Sequence, residues 1–383
     1  GSGRKRPLLL MAHTDVVRAD PTRWKFPPFS ATRDGGYIYA RGAVDDKDNL
    51  TAALMTLLLL KRAGITPERD VILLAEAGEE TATRVGIEHM VDEHFADIDA
   101  EYCIAEGGIT LRKDGRTLYA QVQMAEKRQN TVALVAKGTS GHGSIPRVDN
   151  AVVSLARAIA ALGSWKPPLR LDDTTREYFT RLAAVAPPGD AALYRALLTP
   201  DSPEAAAAAD YLAVHDPSKV AVLRSTLSPT LLTGGLQVNA IPSEAKAEID
   251  VRQLPGEDPN AFLEALRRVV NDPAVSVEYA GRKQRPAGVP ARIDTEVFRA
   301  IEAAVKRVYD APAIPALGTG ATDMAYLRAR GMQCYGISAG VDAEDTALGY
   351  GAHSDQERLQ EAELHRFVKL NWDIVSTLVG HGR

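Results

Sequence analysis

Seven acidic residues and two histidines stand out by type and position: His13 and Asp15, Asp45 and Asp46, Glu79 and Glu80, Glu106, and His353 with Asp355 in the glycine-rich loop Gly349–Asp355. His13, Glu79 and Glu106 each lie just beyond a short apolar run that reads as a buried strand. In an open parallel sheet, sites form at the carboxyl ends of strands, so these groups are expected to meet in one crevice. Several carboxylates crowded together raise one another's pKa and repel unless cations sit among them. A pair of divalent ions resolves the conflict. Two imidazoles plus carboxylates suit zinc, and one carboxylate can bridge two ions roughly 3.5–4 Å apart. Taken singly, each piece has a plainer explanation. His13 could be a hydrogen-bonded structural histidine, Asp45-Asp46 a turn and helix cap, and Glu79-Glu80 an exposed helix start. Their joint placement at one sheet edge favours the shared site.

The elements that must position these residues follow from periodicity. Leu8–Ala12 is a continuous apolar run, as a strand buried on both faces requires. Val71–Ala75 and Tyr102–Ala105 read the same way, with helices expected at Asp48–Ala63 and Val85–Phe95. Strands alternating with helices predict an α/β fold with a mainly parallel sheet covered by helices on both faces. Near Lys127 the style changes. Thr131–Lys137, a helix at Asn150–Leu162, a helical Ala- and Pro-rich stretch from Trp165 to about Leu223, and then Thr230–Gly234, Ala245–Arg252, Pro259–Val270 and Val275–Tyr279 suggest an inserted α+β lid or dimerisation domain. The first style returns with Glu296–Tyr309, Gln333–Ser338 and Glu357–Leu378. The expected division is a catalytic domain in two parts, 1–127 and 284–383, interrupted by an insert at 128–283.

Composition narrows the classes. The 383 residues are 45% hydrophobic and 25% charged, which suits a folded globular chain and excludes a disordered or fibrous one. Lys+Arg is 45 against Asp+Glu 50 and no basic stripe appears, so nucleic acid is not an expected partner. The longest apolar run, near Ala52–Leu60, is too short to span a bilayer, so no membrane is expected either. Cys103 and Cys334 offer neither a disulfide framework nor a zinc-ribbon spacing and are expected to be core packing. The chain opens Gly1-Ser2-Gly3-Arg4-Lys5-Arg6 directly into a strand, with no signal peptide in view, and cytoplasmic and exported locations both stay open.

Five segments occur in a telling order: Leu10–Val17, Arg41–Lys47, Glu76–Glu80, Glu106–Gly108 and Gly351–Asp355. Together they resemble the di-zinc aminoacylase/carboxypeptidase family of metallopeptidases, which includes glutamate carboxypeptidase, acetylornithine deacetylase and succinyl-diaminopimelate desuccinylase. Trp24 and Phe26-Pro27-Pro28-Phe29, with the long insert, look closer to the carboxypeptidase S and N-fatty-acyl-amino-acid hydrolase branch. The resemblance implies two zinc ions, with cobalt or manganese as substitutes. His13 and Glu106 would hold one ion and Glu80 and His353 the other. Asp45, chosen over Asp46, would bridge them. Asp15 would orient the His13 ring, and Glu79 would be the general base. The implied reaction is attack of a metal-bridging water on an amide next to a free carboxylate, with Glu79 moving the proton.

The resemblance also assigns residues of the insert. His142, in Gly141–Ser144, resembles a lid histidine that reaches a partner subunit's site and stabilises the oxyanion. This implies a homodimer through the inserted domain. Asn239 and Arg252 match positions that hold the substrate carboxylate, and an arginine fork suits that task; on the residues alone, Arg252 reads as a strand-surface ion pair. Thr322 lies in Gly318–Asp323, which resembles a substrate-side loop and lacks the lysine of a phosphate loop. The Trp165–Leu223 stretch is expected to shape a pocket for larger acyl groups. No G-x-S-x-G elbow follows a strand, which argues against a serine nucleophile. Members of the family usually carry several dozen residues ahead of the first strand that this sequence lacks, which leaves the completeness of the substrate pocket open. The expected substrate is a small peptide or N-acyl amino acid. A dipeptidase of the same family and a non-catalytic dimeric metal-binding module are the alternatives, and an intact Glu79 argues against the latter.

Overall fold

A computed structural model describes residues 1–281, 285–286 and 288–380. Its main element is an eight-stranded, mainly parallel sheet. One path through it runs Gly340–Asp342, Thr110–Lys113, Arg116–Glu126, Gln333–Gly336, Tyr102–Ala105, Leu8–His13 and Val71–Glu76, with Ala313–Gly318 pairing parallel to Arg116–Glu126. Thr110–Lys113 and Arg116–Glu126 form an antiparallel hairpin that the sequence reading lacked.

Burial of the first strand shows why its apolar run is unbroken. Leu8 and Leu10 enter one core with Phe298, Phe367 and Ile374, under the helices Lys47–Arg62, Glu296–Tyr309 and Glu361–Val379. Leu9 and Met11 enter a second core on the opposite face with Ile87, Met324 and Leu327. A strand covered on both sides has no face for a polar residue until it leaves the sheet, and this one leaves at His13. Cys103 and Cys334 are buried neighbours on adjacent strands, both free thiols.

The insert has its own four-stranded antiparallel sheet, in the order Thr226–Gly234, Glu244–Gln253, Arg128–Lys137, Val275–Tyr279. The helices Ala151–Ser164 and Pro259–Val270 cover it around Leu134, Ile249 and Leu266. The helical stretch between does not join this layer. Tyr178, Phe179, Leu182 and Leu212 of that stretch pack with Ala125, Ile314, Ala316 and Leu317 of the main sheet. In space, then, residues 128–281 divide between two cores, because the apolar faces of these helices match the uncovered side of Ala313–Gly318. The expected boundary between Lys283 and Gln284 lies outside the described residues. Among the described residues, no helix is long and apolar enough to cross a membrane.

Candidate metal centre and active site

The parallel register brings the chemistry together. Leu8–His13 pairs with Val71–Glu76 on one side and with Tyr102–Ala105 on the other, so His13 aligns with Glu76, and the turns carrying Glu79-Glu80 and Glu106 leave the same edge. The His13 side chain is 1% exposed. Its Nδ1 lies 3.0 Å from the Asp15 carbonyl oxygen and 3.6 Å from Asp15 Oδ1. Donation from Nδ1 leaves the Nε2 lone pair facing the crevice, the tautomer a metal ligand requires. Nε2 is 2.9 Å from Asp45 Oδ1 and 3.9 Å from Glu106 Oε2. Across the crevice, His353 Nε2 is 3.0 Å from Asp45 Oδ2 and 3.1 Å from Glu80 Oε1. Each Asp45 oxygen therefore faces a different imidazole.

Asp46, joined to Asp45 by a cis peptide bond, is fully buried. Its Oδ2 accepts from the His13 backbone N–H at 3.2 Å and its Oδ1 from Asn49 Nδ2 at 2.7 Å. Donor atoms of His13, Asp45 and Glu80 all lie within 4.8 Å of one another, as do those of His13, Asp46 and Glu106. Because both Asp46 oxygens already hold N–H groups, Asp45 is the better-placed bridge.

The electrostatics fit a cation site. Burial opposes charge on His13, but the hydrogen bond to Asp45 and the charges of Asp46, Asp45 and Glu79 outweigh it and raise its pKa to about 10. Burial pushes Asp46 up to about 8. It also raises Glu106, with the charges of Asp46, Glu79 and Asp45 adding to the effect. Negative charge is thus in excess, and the donor set of two imidazoles with carboxylates matches what divalent zinc takes. His13, Asp45 and Glu106 would hold one ion, and His353, Asp45 and Glu80 a second.

Three residues that sequence reasoning missed hold this arrangement together. Glu357 is completely buried and accepts from Arg41 Nη1 at 2.6 Å and from the backbone N–H groups of Gly42, Val44 and Asp45 at 3.0, 2.8 and 3.2 Å. Arg41 in turn donates from Nη2 to the Ser354 carbonyl oxygen at 2.9 Å. One ion pair thereby anchors both the Asp45 turn and the loop carrying His353. Gly42 has φ +86°, and a Cβ there would sit 2.7 Å from Val16 Cγ1, which explains glycine at this position. Arg285 is the third. Its Nη2 lies 3.2 Å from the Glu79 carbonyl oxygen and 3.3 Å from Glu79 Oε1, and its Nη1 lies 3.5 Å from Asp323 Oδ1. Burial raises the pKa of Glu79, and Arg285 opposes that rise. A motif-adjacent acid, Glu357, could have been found four residues after His353; nothing local marks Arg285.

Asp15 does more than face the His13 ring. Its Oδ1 accepts from the N–H of Gly78 at 2.8 Å and of Glu79 at 3.3 Å, and its Oδ2 from Glu80 N–H at 3.3 Å. The same carboxylate therefore fixes the turn that aims both glutamates.

The residues singled out for the substrate side, three in the insert and Thr322 outside it, lie elsewhere. His142 is exposed on a two-residue strand paired with Ala240-Ile241, and Gly143 N–H donates to the Asn239 carbonyl oxygen at 2.7 Å, so His142 and Asn239 are neighbours. Arg252 pairs with Asp250 at 2.7 and 3.1 Å. Thr322 gives its N–H and its hydroxyl to Glu126, at 2.9 and 2.6 Å. Among the described residues, no hydrogen bond or ion pair joins these four to the crevice ligands.

Known proteins resemble this chain in sequence and fold. The chain is 28% identical over 309 residues to a probable carboxypeptidase S-like protein of Dictyostelium discoideum, matching 74% of this chain and 55% of that protein. It is also 28% identical over 270 residues to human N-fatty-acyl-amino acid synthase/hydrolase PM20D1, matching 70% of this chain and 53% of the relative. The chain thus spans about half the length of these curated relatives. An M20 family metallo-carboxypeptidase from Sulfolobus solfataricus superposes with a TM-score of 0.70 at 23% identity, over 97% of this chain and 84% of that one. Residues 9–376 match the model of Peptidase family M20/M25/M40, and the chain belongs to that family.

Proposed function

We propose that the chain is a hydrolase of amide bonds that stand next to a free carboxylate, acting as a carboxypeptidase or N-acyl-amino-acid amidohydrolase. The observation that carries the reading is Asp45, whose two oxygens face His13 and His353, with Glu79 near enough to feel the charges of His13, Glu80 and Asp45. Two zinc ions bound there would supply Lewis acidity, acidifying water and polarising the amide carbonyl. Glu79 takes the proton of the attacking water on its carboxylate and returns it to the leaving amine nitrogen. Its raised pKa suits that two-way role, and Arg285 keeps the carboxylate positioned. Asp15 holds the Glu79 turn in place throughout.

The insert supplies the substrate side in this reading. Ser144 N–H donates to His142 Nδ1 at 3.1 Å, which puts the ring proton on Nε2, free to stabilise an oxyanion in a partner subunit's crevice. Asn239 and Arg252 would hold the substrate carboxylate, Arg252 by exchanging Asp250 for it, and Thr322 would line the approach. A homodimer through the insert follows from the cross-subunit role of His142. The exposed strand Thr226–Gly234, with Leu231 59% and Leu232 67% exposed, is the edge available for it.

The test is zinc content together with hydrolysis of a panel of N-acyl amino acids and dipeptides. Wild type is expected to bind two equivalents of zinc and cleave members of the panel. Glu79→Gln is expected to keep the zinc and lose about 10²–10⁴-fold in kcat. Equal background rates for the two proteins at full zinc loading would overturn the reading.

A further inference from the structure

The Gly107–Ile109 loop separates two hollows beside the crevice. One is lined by Tyr119, Tyr178, Val222 and Leu317, so the helical stretch does form a groove, but none of the metal-ligand candidates is in its wall. The other is a cavity of about 290 Å³ whose wall includes both Asp45 and Glu106. From those two residues it extends between Ile109, Val341, Tyr350 and Leu359, and every residue lining it comes from outside the 128–283 segment.

Its far end is polar but self-satisfied. Arg358 pairs with Asp345, donates to Tyr39 Oη at 2.8 Å, and stacks 4.0 Å over the Tyr350 ring and 4.1 Å over the Tyr37 ring. Asp342 takes Arg112 at 3.2 Å and a hydrogen bond from Gln360. The guanidinium in this wall is therefore already occupied, while Asp342 and Asp345 bring negative charge. A carboxylate entering here would find no unpaired cation and would face acidic side chains. An apolar group would gain the contacts of Ile109, Val341 and Leu359 with no polar partner to displace.

The geometry points to this cavity as the subsite for the acyl side of the scissile amide, taking a short, uncharged, apolar acyl group of branched aliphatic or aromatic kind and discriminating against acidic ones. The inference rests on the proposed amide hydrolysis, which puts the substrate carboxylate on the insert and leaves this side for the acyl group. It moves the acyl site away from the helical stretch, where length and composition alone had put it.

The experiment uses the full zinc-loaded chain and one amino acid carrying acetyl, isovaleryl, phenylacetyl or succinyl. The expected kcat/KM for isovaleryl and phenylacetyl exceeds that for acetyl by at least about tenfold, since one methylene in an apolar pocket is worth about 10–200-fold. Succinyl is expected below isovaleryl. Ile109→Trp at the half-exposed rim and Val341→Phe inside should each cut the isovaleryl-to-acetyl ratio about tenfold, at wild-type zinc content. Dissociation constants of the same ligands on the Glu79→Gln protein should follow the same order. A flat profile, a preference for succinyl, or ratios that neither substitution moves would overturn the assignment. If no amide is cleaved at all, the hydrolase reading fails, and the order of dissociation constants decides the cavity by itself.

Discussion

The crevice and the exposed edge of the insert are built in opposite ways. In the crevice three of the five candidate ligands are held by a second group: His13 by Asp15 and Asp46, Asp45 by Glu357 through the backbone, and Glu80, with its turn, by Asp15. At the insert edge, His142 is held by Ser144, Asn239, among the described residues, by its backbone alone, and the neighbouring strand Thr226–Gly234 shows mostly exposed residues. The crevice is pre-organised within one chain, as catalysis by fixed charges needs. The edge is a strand paired on one side only, with large exposed apolar side chains, a surface that natural proteins cover or pair. On the proposed reading, metal binding would be complete in a single subunit while turnover would depend on a second.

Four substitutions would break or sharpen this contrast, and the largest effect is expected in the crevice. Glu357→Gln leaves Arg41 charged and buried without its partner; both side chains are 2% exposed or less. Breaking such a pair costs about 3–5 kcal/mol, and the Asp45 turn loses its anchor. Urea denaturation should show the loss, and metal analysis should show weakened zinc binding. Full zinc retention would mean that the Asp45 turn holds itself.

At the insert edge, His142→Ala should lower kcat about 10²–10³-fold, the cost of one oxyanion donor, with zinc content unchanged. Mixing this variant with Glu79→Gln sharpens the point. Activity should reappear on mixing if His142 acts in the partner's site, and stay absent if it acts within its own chain.

Leu232→Asp puts a charge on the exposed strand and should shift a dimer to monomer in sedimentation while leaving the zinc content at the wild-type value. A wild type that is already monomeric at active concentrations would remove the strand from the account.

The smallest effect concerns the residue where the two regions join. Lys127, 1% exposed, donates from Nζ to the carbonyl oxygens of Ala221 and Arg224, each at 2.8 Å, and to Thr226 Oγ1 at 3.0 Å. It ties the helical stretch to the start of the exposed strand. Burial lowers its pKa to about 7. The unfolded value is about 10.4, so between roughly pH 7 and 10 the unfolded chain holds more protons and stability rises with pH. The slope cannot exceed about 1.4 kcal/mol per pH unit for one proton. Denaturation midpoints from pH 6.5 to 9.5 should rise less steeply in Lys127→Met than in wild type.

Much of this was legible before any coordinates. The helix Glu296–Tyr309, the helix Pro259–Val270 and the strand Val275–Tyr279 stand where their periodicity predicts. The ends differ where capping decides. Glu357 reads as the start of the terminal helix, yet Arg358–Gln360 pairs with Tyr37–Tyr39 as a strand and the helix begins at Glu361. Three residues beside a motif, only Leu359 of them apolar, carry too little signal to reveal that pairing.

By itself, the sequence determined which groups can bind cations and where in each strand they fall. Apolar runs bury on two faces, and the first polar residue beyond them must sit at an edge. Tertiary structure alone decided that Glu357 reaches back more than 300 residues to hold Asp45, that Arg285 lies against Glu79, and which core the helical stretch joins. Those outcomes depend on which surfaces meet once the sheet has formed, and local spacing has no means of recording contacts between segments so far apart along the chain.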